Sequence, residues 1–252
     1  MGAVALLEAD SLAVTFGGLK AVDCVSFTLA RGEIVGLIGP NGAGKTTLFN
    51  SLVGLQPLTA GRVILEGRKV SGLRPHLIAA RGMTKTFQNA ALFPAMSVLD
   101  NVATAALLHH DFRAARRLAA SILDKLHLAV VADTDVAGLT FAHKALVALA
   151  RAIATRPKIL LLDEVMAALT PGEMDEVMGV IRALRNEGLT FLVVEHHMRA
   201  IMALCERLLV INFGRLIAQG TPAEVANDPQ VIEAYLGASA ASDGAARAHA
   251  CH

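Results

Sequence analysis

The sequence reads as an α/β protein, a mostly parallel sheet with helices on both faces and a helical insertion. Short apolar runs alternate with amphipathic stretches in the first and last thirds of the chain. Ile34–Ile38 and Ile159–Leu162 are almost wholly apolar, as parallel strands buried on both faces are. Between them, residues 97–154 carry few strand signals and many Ala, Leu and Arg at helical spacing.

Val4–Glu8, Leu12–Phe16 and Val25–Leu29 are short apolar or alternating runs split by turn residues, so each is expected as a strand. Gly17–Gly18 and Arg31–Gly32–Glu33 are the turn signals between them. After strand Ile34–Ile38 comes a Gly-rich loop, then a helix over Lys45–Val53, then strands over Arg62–Leu65 and Met83–Phe87. Ala105–Leu108, Ala114–Leu126 and His143–Ile153 fit the helical period. Past Pro157 the alternation returns. Strands are expected over Ile159–Leu162 and Thr190–Val194 and helices over Pro171–Asn186 and Met198–Cys205, with Leu208–Asn212 as the last clear strand. The Ala/Ser/Gly-rich stretch 238–252 is expected to be a mobile tail.

Composition narrows the classes. Apolar residues make up 54% of the 252 and mean hydropathy is +0.52, high enough to raise the question of a membrane span. No stretch reaches the ~18 uncharged apolar residues that a span needs. A net charge of +1 gives no basis for a nucleic-acid surface. Cys24, Cys205 and Cys251 form no CxxC pair, which speaks against a disulfide scaffold or a zinc site and suits a reducing cytosol. Glu8 and Asp10 stand where a signal peptide would be basic and apolar, so none is expected.

Gly39-Pro40-Asn41-Gly42-Ala43-Gly44-Lys45-Thr46 satisfies G-x-x-x-x-G-K-[ST], with a buried strand before it and a helix after it. Phosphate oxygens need several convergent N–H donors, and glycines let the backbone curl tightly enough to supply them. The helix N-terminus adds favourable partial charge. Lys45, whose charge has no obvious structural partner in the sequence, can reach the β- and γ-phosphates, and the Thr46 hydroxyl can ligate Mg²⁺. Ile159-Leu160-Leu161-Leu162-Asp163-Glu164 is four apolar residues ending in two carboxylates, a buried strand that delivers acids to the sheet edge where ligands bind. Asp163 is the expected Mg²⁺ partner, directly or through water. Glu164 is placed to orient or deprotonate a water attacking the γ-phosphate.

In this order of motifs the chain resembles an ATP-binding subunit of an ABC transporter, from Leu6 to Leu236. The phosphate loop is followed by Thr86-Phe87-Gln88-Asn89, a helical region, the Asp-Glu strand, and Val194-Glu195-His196. The resemblance implies a P-loop NTPase (RecA-like) core with an antiparallel β subdomain and an inserted α-helical subdomain. It implies one nucleotide-binding domain over 4–237, with the helical subdomain at about 95–157. It further implies ATP and Mg²⁺ as cofactors, with Gly39 to Thr47 around the phosphates. Phe16 would stack on adenine, Gln88 would contact Mg²⁺ and sense the transmembrane subunit, and His196 would contact the γ-phosphate.

Within that family the chain is most similar to the ATPases of bacterial branched-chain amino acid importers. Phe16-Gly17-Gly18-Leu19-Lys20-Ala21-Val22, Phe87-Gln88-Asn89, Leu92-Phe93-Pro94, Met96-Ser97-Val98 and Glu195-His196-His197-Met198 carry that likeness. Asn227-Asp228-Pro229-Gln230-Val231-Ile232, followed by Ala234-Tyr235-Leu236-Gly237, is its most specific part. Related importers take urea or short amides, so the solute stays open among these. The implied partners are a second ATPase subunit, transmembrane permease subunits docking near Gln88–Pro94, and indirectly a solute-binding protein, but no nucleic acid. The implied location is peripheral, on the cytoplasmic face of the inner membrane.

The chain departs from the family's L-S-G-G-Q signature, which normally binds the nucleotide held by the opposite subunit. Leu139-Thr140-Phe141-Ala142-His143 stands there. Thr140 keeps a hydroxyl, whereas Ala142 adds a methyl where Gly lets a phosphate approach. Val165 replaces the usual Pro after Asp-Glu, and Thr170 the common Asp of the dimer-contact loop. One complete set, Lys45, Thr46, Gln88, Asp163, Glu164 and His196, beside a divergent signature implies an asymmetric heterodimer with two unequal sites.

Two other readings stay open. A soluble ABC-type switch for DNA or translation complexes is opposed by the single cassette and the lack of a basic arm. A subunit that has lost hydrolysis is supported by the altered signature and opposed by Glu164 and His196. Arg113, Arg116 and Arg117 read as a solvated helix face. Met166, Met174, Met178, Met198 and Met202 read as core filler. His109-His110 and His196-His197 lack the companions of a zinc site.

Overall fold

The computed structural model describes residues 5–86 and 92–236. The chain divides into two compact units. Of the described residues, one holds Ala5–Leu29, Val35–Gly72 and 205–236; the other holds Ala30–Ile34 and the described part of 73–204.

The first unit opens with an antiparallel sheet. β1 (Ala5–Phe16) and β2 (Leu19–Ala30) join through Gly17–Gly18, and β4 (Ala60–Leu65) and β5 (Arg68–Lys69) follow in the sheet order β2-β1-β4-β5. The two strands expected at the start are one. Ser11 takes φ 49° and the register of β1 with β4 shifts between Asp10 and Ala13, so the break in alternation is a bulge, not a turn. The Ser11 N–H, released from the ladder, donates to Ser26 Oγ at 2.8 Å.

β3 (Ile34–Ile38) is buried at all five positions and runs parallel to β9 (Arg207–Asn212). Leu209 and Val210 of β9 are fully buried. α1 (Lys45–Leu52) turns its buried face, Leu48, Phe49 and Leu52, inward. The chain does not stop pairing at Asn212: β10 (Arg215–Gly220) folds back antiparallel on β9. Phe213 and Gly214 both take positive φ, 46° and 77°, as a tight hairpin turn with the twist of its strands requires. Phe-Gly is a weaker turn signal than Asn-Gly, and β10 is only half buried, so this strand escaped the pattern. α8 (Pro222–Ala226) begins at a capping box of Thr221 and Glu224, and residues 229–236 are helical.

The second unit carries three parallel strands, β6 (Met83–Lys85), β7 (Ile159–Asp163) and β8 (Thr190–Val194). Every residue of β7 and β8 is buried, which explains why they read as unbroken apolar runs. α2 (Pro75–Ala80), with Pro at its first turn, leads into β6. α3 (Val98–Ala106), α4 (Phe112–Lys125) and α5 (Phe141–Ala154) pack on one another as the helical insertion, each started by a side-chain cap: Ser97, Asp111 and Thr140. α6 (Pro171–Asn186) starts at a second capping box, Thr170 and Glu173, and α7 (Met198–Leu204) follows β8. Met166, Met174 and Met178 are buried as expected, but Met198 and Met202 are 44% and 38% exposed. The expected arginine face is split: Arg116 turns to Asp100, while Arg113 and Arg117 are exposed. Among the described residues no helix is long and apolar enough to cross a membrane. The expected mobile tail, 238–252, lies outside the described residues.

Candidate functional site

The phosphate loop is built by close backbone approach. A Cβ on Gly39 would sit 2.1 Å from the Ile211 carbonyl oxygen and one on Gly44 2.2 Å from that of Ala21, so only glycine fits at either position. Gly44, at φ 103°, is also the N-cap of α1. The Gly214 N–H donates to the Ala43 carbonyl at 2.9 Å, pinning the loop to the β9–β10 turn. Lys45 is buried, and its ammonium donates to the carbonyls of Gly39 at 2.7 Å and Pro40 at 3.0 Å. The lysine therefore does have structural partners, contrary to expectation: it is curled over its own loop, because a buried cation needs acceptors. Asn41, Gly42 and Thr46 are exposed at the mouth of the loop, and Thr47 is half-buried. Phe16 is 47% exposed at the tip of the β1–β2 hairpin.

Tyr235 reaches this loop. The Gly39 N–H donates to the Tyr235 oxygen, and burial raises the phenol above its ordinary pKa. A cavity of about 550 Å³ lies beside the loop, lined by Pro40, Asn41, Phe213, Gln230 and Glu233.

In the other unit, the C-terminal end of β7 carries the acidic pair. Asp163 is buried and ion-paired with Lys85 of β6 at 2.8 Å, both side chains being less than a tenth exposed. Its N–H donates to Thr86 Oγ1 at 3.1 Å. Glu164 takes φ 51°, a left-handed conformation uncommon for a residue with a Cβ and a mark of functional sites. The Glu164 N–H donates to Val194 O at 2.9 Å, and Glu164 Oε1 lies 2.6 Å from His196 Nε2. The two residues, 32 apart in the chain, meet here.

Two further contacts hold the same segments together. The Met166 N–H donates to Glu195 Oε1 at 2.8 Å, and His197 Nε2 lies 3.4 Å from Ala167 O. Glu195 is 3% exposed, and burial pushes its carboxyl up to about 7. The sequence assigns no role to Lys85 or Glu195. Lys85 directly precedes one quoted motif and Glu195 lies within another, but neither has its partner adjacent in the chain.

In the divergent signature, Thr140 Oγ1 accepts from the His143 N–H at 3.2 Å and so caps α5. Phe141 is 67% exposed, while Ala142 is buried, so its methyl lies within the chain's own packing. Gln88 lies outside the described residues, as does the rest of 87–91. Of the expected permease-docking stretch, Phe93 is exposed and Arg151 lies 5.2 Å from its ring centre. Asn101, fully buried, clamps it by accepting from the Phe93 N–H at 2.8 Å and donating to its carbonyl at 3.0 Å.

These features find their match among known proteins. The family model described as ABC transporter matches residues 22–167, which spans the phosphate loop, the inserted helices and the Asp-Glu strand. The chain belongs to the ABC transporter ATP-binding family. A second model, described as branched-chain amino acid ATP-binding cassette transporter, matches residues 215–241 of the cassette. The cassette is 37% identical over 249 residues to the high-affinity branched-chain amino acid transport ATP-binding protein BraF of Pseudomonas aeruginosa, covering 92% of this chain and 98% of that protein. It is 39% identical to LivG of Escherichia coli, a protein of the same description, over the same shares of the two chains. It is also 38% identical over 236 residues to the lipopolysaccharide export system ATP-binding protein LptB of Escherichia coli, covering 93% and 98%. Among solved structures, a nucleotide-free ATP-binding cassette from an ABC transporter superposes with TM-score 0.86 at 28% identity, covering 92% of this chain and 99% of that one. A cassette in its ADP conformation gives 0.85 at 28% identity, covering 93% and 99%. The cassette is an ATPase subunit of a transporter, with the P-loop NTPase fold and an antiparallel β subdomain.

Proposed function

We propose that the cassette energises an importer of branched-chain amino acids or a related small polar solute. The match of residues 215–241 to the branched-chain amino acid cassette model carries this reading, because that segment lies outside the chemistry common to all members. The similarity to BraF and LivG supports it. The comparable identity to LptB supports a second reading, a subunit that drives lipopolysaccharide export. Uptake of labelled leucine by cells with and without the gene separates the two. Loss of uptake on deletion supports import. Unchanged uptake with defective lipopolysaccharide display supports export.

In this reading residues 4–237 act as one nucleotide-binding domain, with 95–157 as its helical part. Gly39 to Thr47 hold the phosphates of ATP, and Phe16 stacks on the base. Thr46, Gln88 and Asp163 are the residues that would hold Mg²⁺. The donor set fits that ion: a hydroxyl on the first turn of α1 and a buried carboxylate are hard oxygen ligands, and Mg²⁺ takes few protein ligands, completing its shell with water and phosphate oxygens. When bound, the ion would neutralise charge on the β- and γ-phosphates. Glu164 positions or deprotonates the attacking water, and His196 holds the γ-phosphate end. The loop of Thr140 and Ala142 faces the nucleotide of a second, non-identical ATPase subunit, with the Ala142 methyl packed behind it. Permease subunits dock near Gln88–Pro94, which keeps the cassette on the cytoplasmic face of the inner membrane.

A further inference from the structure

Glu195 is, among the described residues, the one buried carboxyl beside the Glu164–His196 pair that the proposed chemistry does not use. It follows β8 directly and precedes His196. Successive residues on this side meet three residues of the loop after β7: Glu195 meets Met166 at 2.8 Å, His196 meets Glu164 at 2.6 Å, and His197 meets Ala167 at 3.4 Å. The rungs differ in burial. His196 is exposed, whereas Glu195 is 3% exposed and Met166 fully buried, so the Glu195–Met166 bond is the one shielded from water. A shielded hydrogen bond to a backbone N–H restrains a loop more firmly than a solvated side-chain pair.

Such a restraint is needed here. Glu164 sits at φ 51°, and that backbone persists only where the surroundings over-determine it. The segment 164–170 forms no strand, and among its anchors to β8 and the residues after it are the Glu164 N–H on Val194 and these rungs. Glu195 Oε2 is buried without a hydrogen-bond partner among the described residues. A carboxyl held in that place at a desolvation cost, where an apolar side chain would fill the volume, points to the bond that Oε1 makes to the Met166 N–H.

We propose that Glu195 is a positioning residue that ties the loop carrying Glu164 to the strand end carrying His196, and so sets the geometry of that pair. The inference rests on the reading of Glu164 and His196 as the hydrolytic pair. Glu195 touches neither nucleotide nor water in this scheme; it acts through the Met166 N–H.

The test compares the full chain with Glu195→Gln, Glu195→Asp and Glu195→Leu. It measures MgATP hydrolysis in the assembled transporter and hydrogen exchange in peptides covering 164–170. Gln keeps an acceptor oxygen at the same reach, so kcat stays within about threefold of the parent. Asp keeps the carboxyl but falls short by one methylene, and Leu fills the volume without an acceptor. Both should raise exchange across 164–170 about tenfold. Both should lower kcat by at least about tenfold, the low end of what misplacing a catalytic group costs. KM for MgATP stays within about twofold, because the phosphate loop is untouched. Asp remains as the readable variant if Leu does not fold. Parent-like kcat and exchange in Asp or Leu, or Gln as impaired as Asp, overturns the tie. Failure of the underlying reading shows separately: parent-rate turnover in Glu164→Gln removes the hydrolytic role, while the exchange data still decide whether Glu195 holds the loop.

Discussion

His196 Nε2 lies 2.6 Å from Glu164 Oε1, joining two residues 32 apart in the chain. The bond aims the carboxylate of a residue whose own backbone is in the left-handed region. Glu164→Gln keeps the shape and an acceptor for the histidine but cannot take a proton from water. Hydrolysis is expected to fall about 10²–10⁴-fold, with the ATP-bound dimer accumulating. Phosphate release and size exclusion with MgATP check both halves, and parent-rate phosphate release removes Glu164 from its role.

Lys45→Ala is expected to abolish tight MgATP binding, since the chain loses the cation placed by the glycines. The Gly39 and Pro40 carbonyls also lose their donor, so stability should drop by about 1–2 kcal/mol. Calorimetric titration and urea unfolding read the two effects; unchanged affinity would sink the assignment.

Lys85→Met leaves Asp163 buried without its ammonium partner. Breaking a buried pair from one side costs about 3–5 kcal/mol. Adding Asp163→Asn should recover part of that loss, because no uncompensated charge then remains. Urea midpoints of the two single variants and the double variant form the cycle, and additive losses would show that the pair is not coupled.

Glu195 makes stability depend on pH. Its carboxyl is pushed up by burial to about 7 in the folded chain, from 4.5. The Glu164 charge also raises it, while the Met166 and His196 N–H groups and His197 act the other way. Between those values the folded chain binds more protons than the unfolded one. The contribution of this group is therefore fully present below about 4.5 and is lost as pH rises through 7. Glu195→Gln removes that dependence. Its unfolding midpoint should match the parent's near pH 5 and exceed it at pH 8. A constant difference across that range would show that Glu195 does not titrate there.

Ala142→Gly is expected to raise turnover at the nucleotide site facing this chain's 139–143 loop. The methyl of Ala142 is buried, and its removal frees the first turn of α5 to adapt to a phosphate. Single-turnover hydrolysis in the heterodimer, with Glu164→Gln in this chain, isolates the opposite site. Equal rates at the two sites, with no effect of the glycine, would make the dimer symmetric.

The chain's local chemistry was legible without coordinates. β3, α6 and β8 have the bounds expected from the sequence pattern, because strand burial and helix starts are decided within a few residues. The phosphate loop is contiguous, so its glycines, its lysine and the following helix declare themselves together. β1 was read as two strands because a bulge and a turn interrupt alternation alike. β10 was lost because its Phe213-Gly214 turn adopts a geometry that other dipeptides advertise better.

What only the tertiary structure decided is which side chains meet. Lys85 reaches Asp163 because β6 and β7 run parallel, with Lys85 opposite Leu161. Glu195 reaches Met166 because β7 and β8 pair with Asp163 opposite Val194, which brings the two strand ends to one level. Spacing along the chain holds no record of that register. It is set by burying both faces of apolar strands at once, and the polar partners at their ends follow from it.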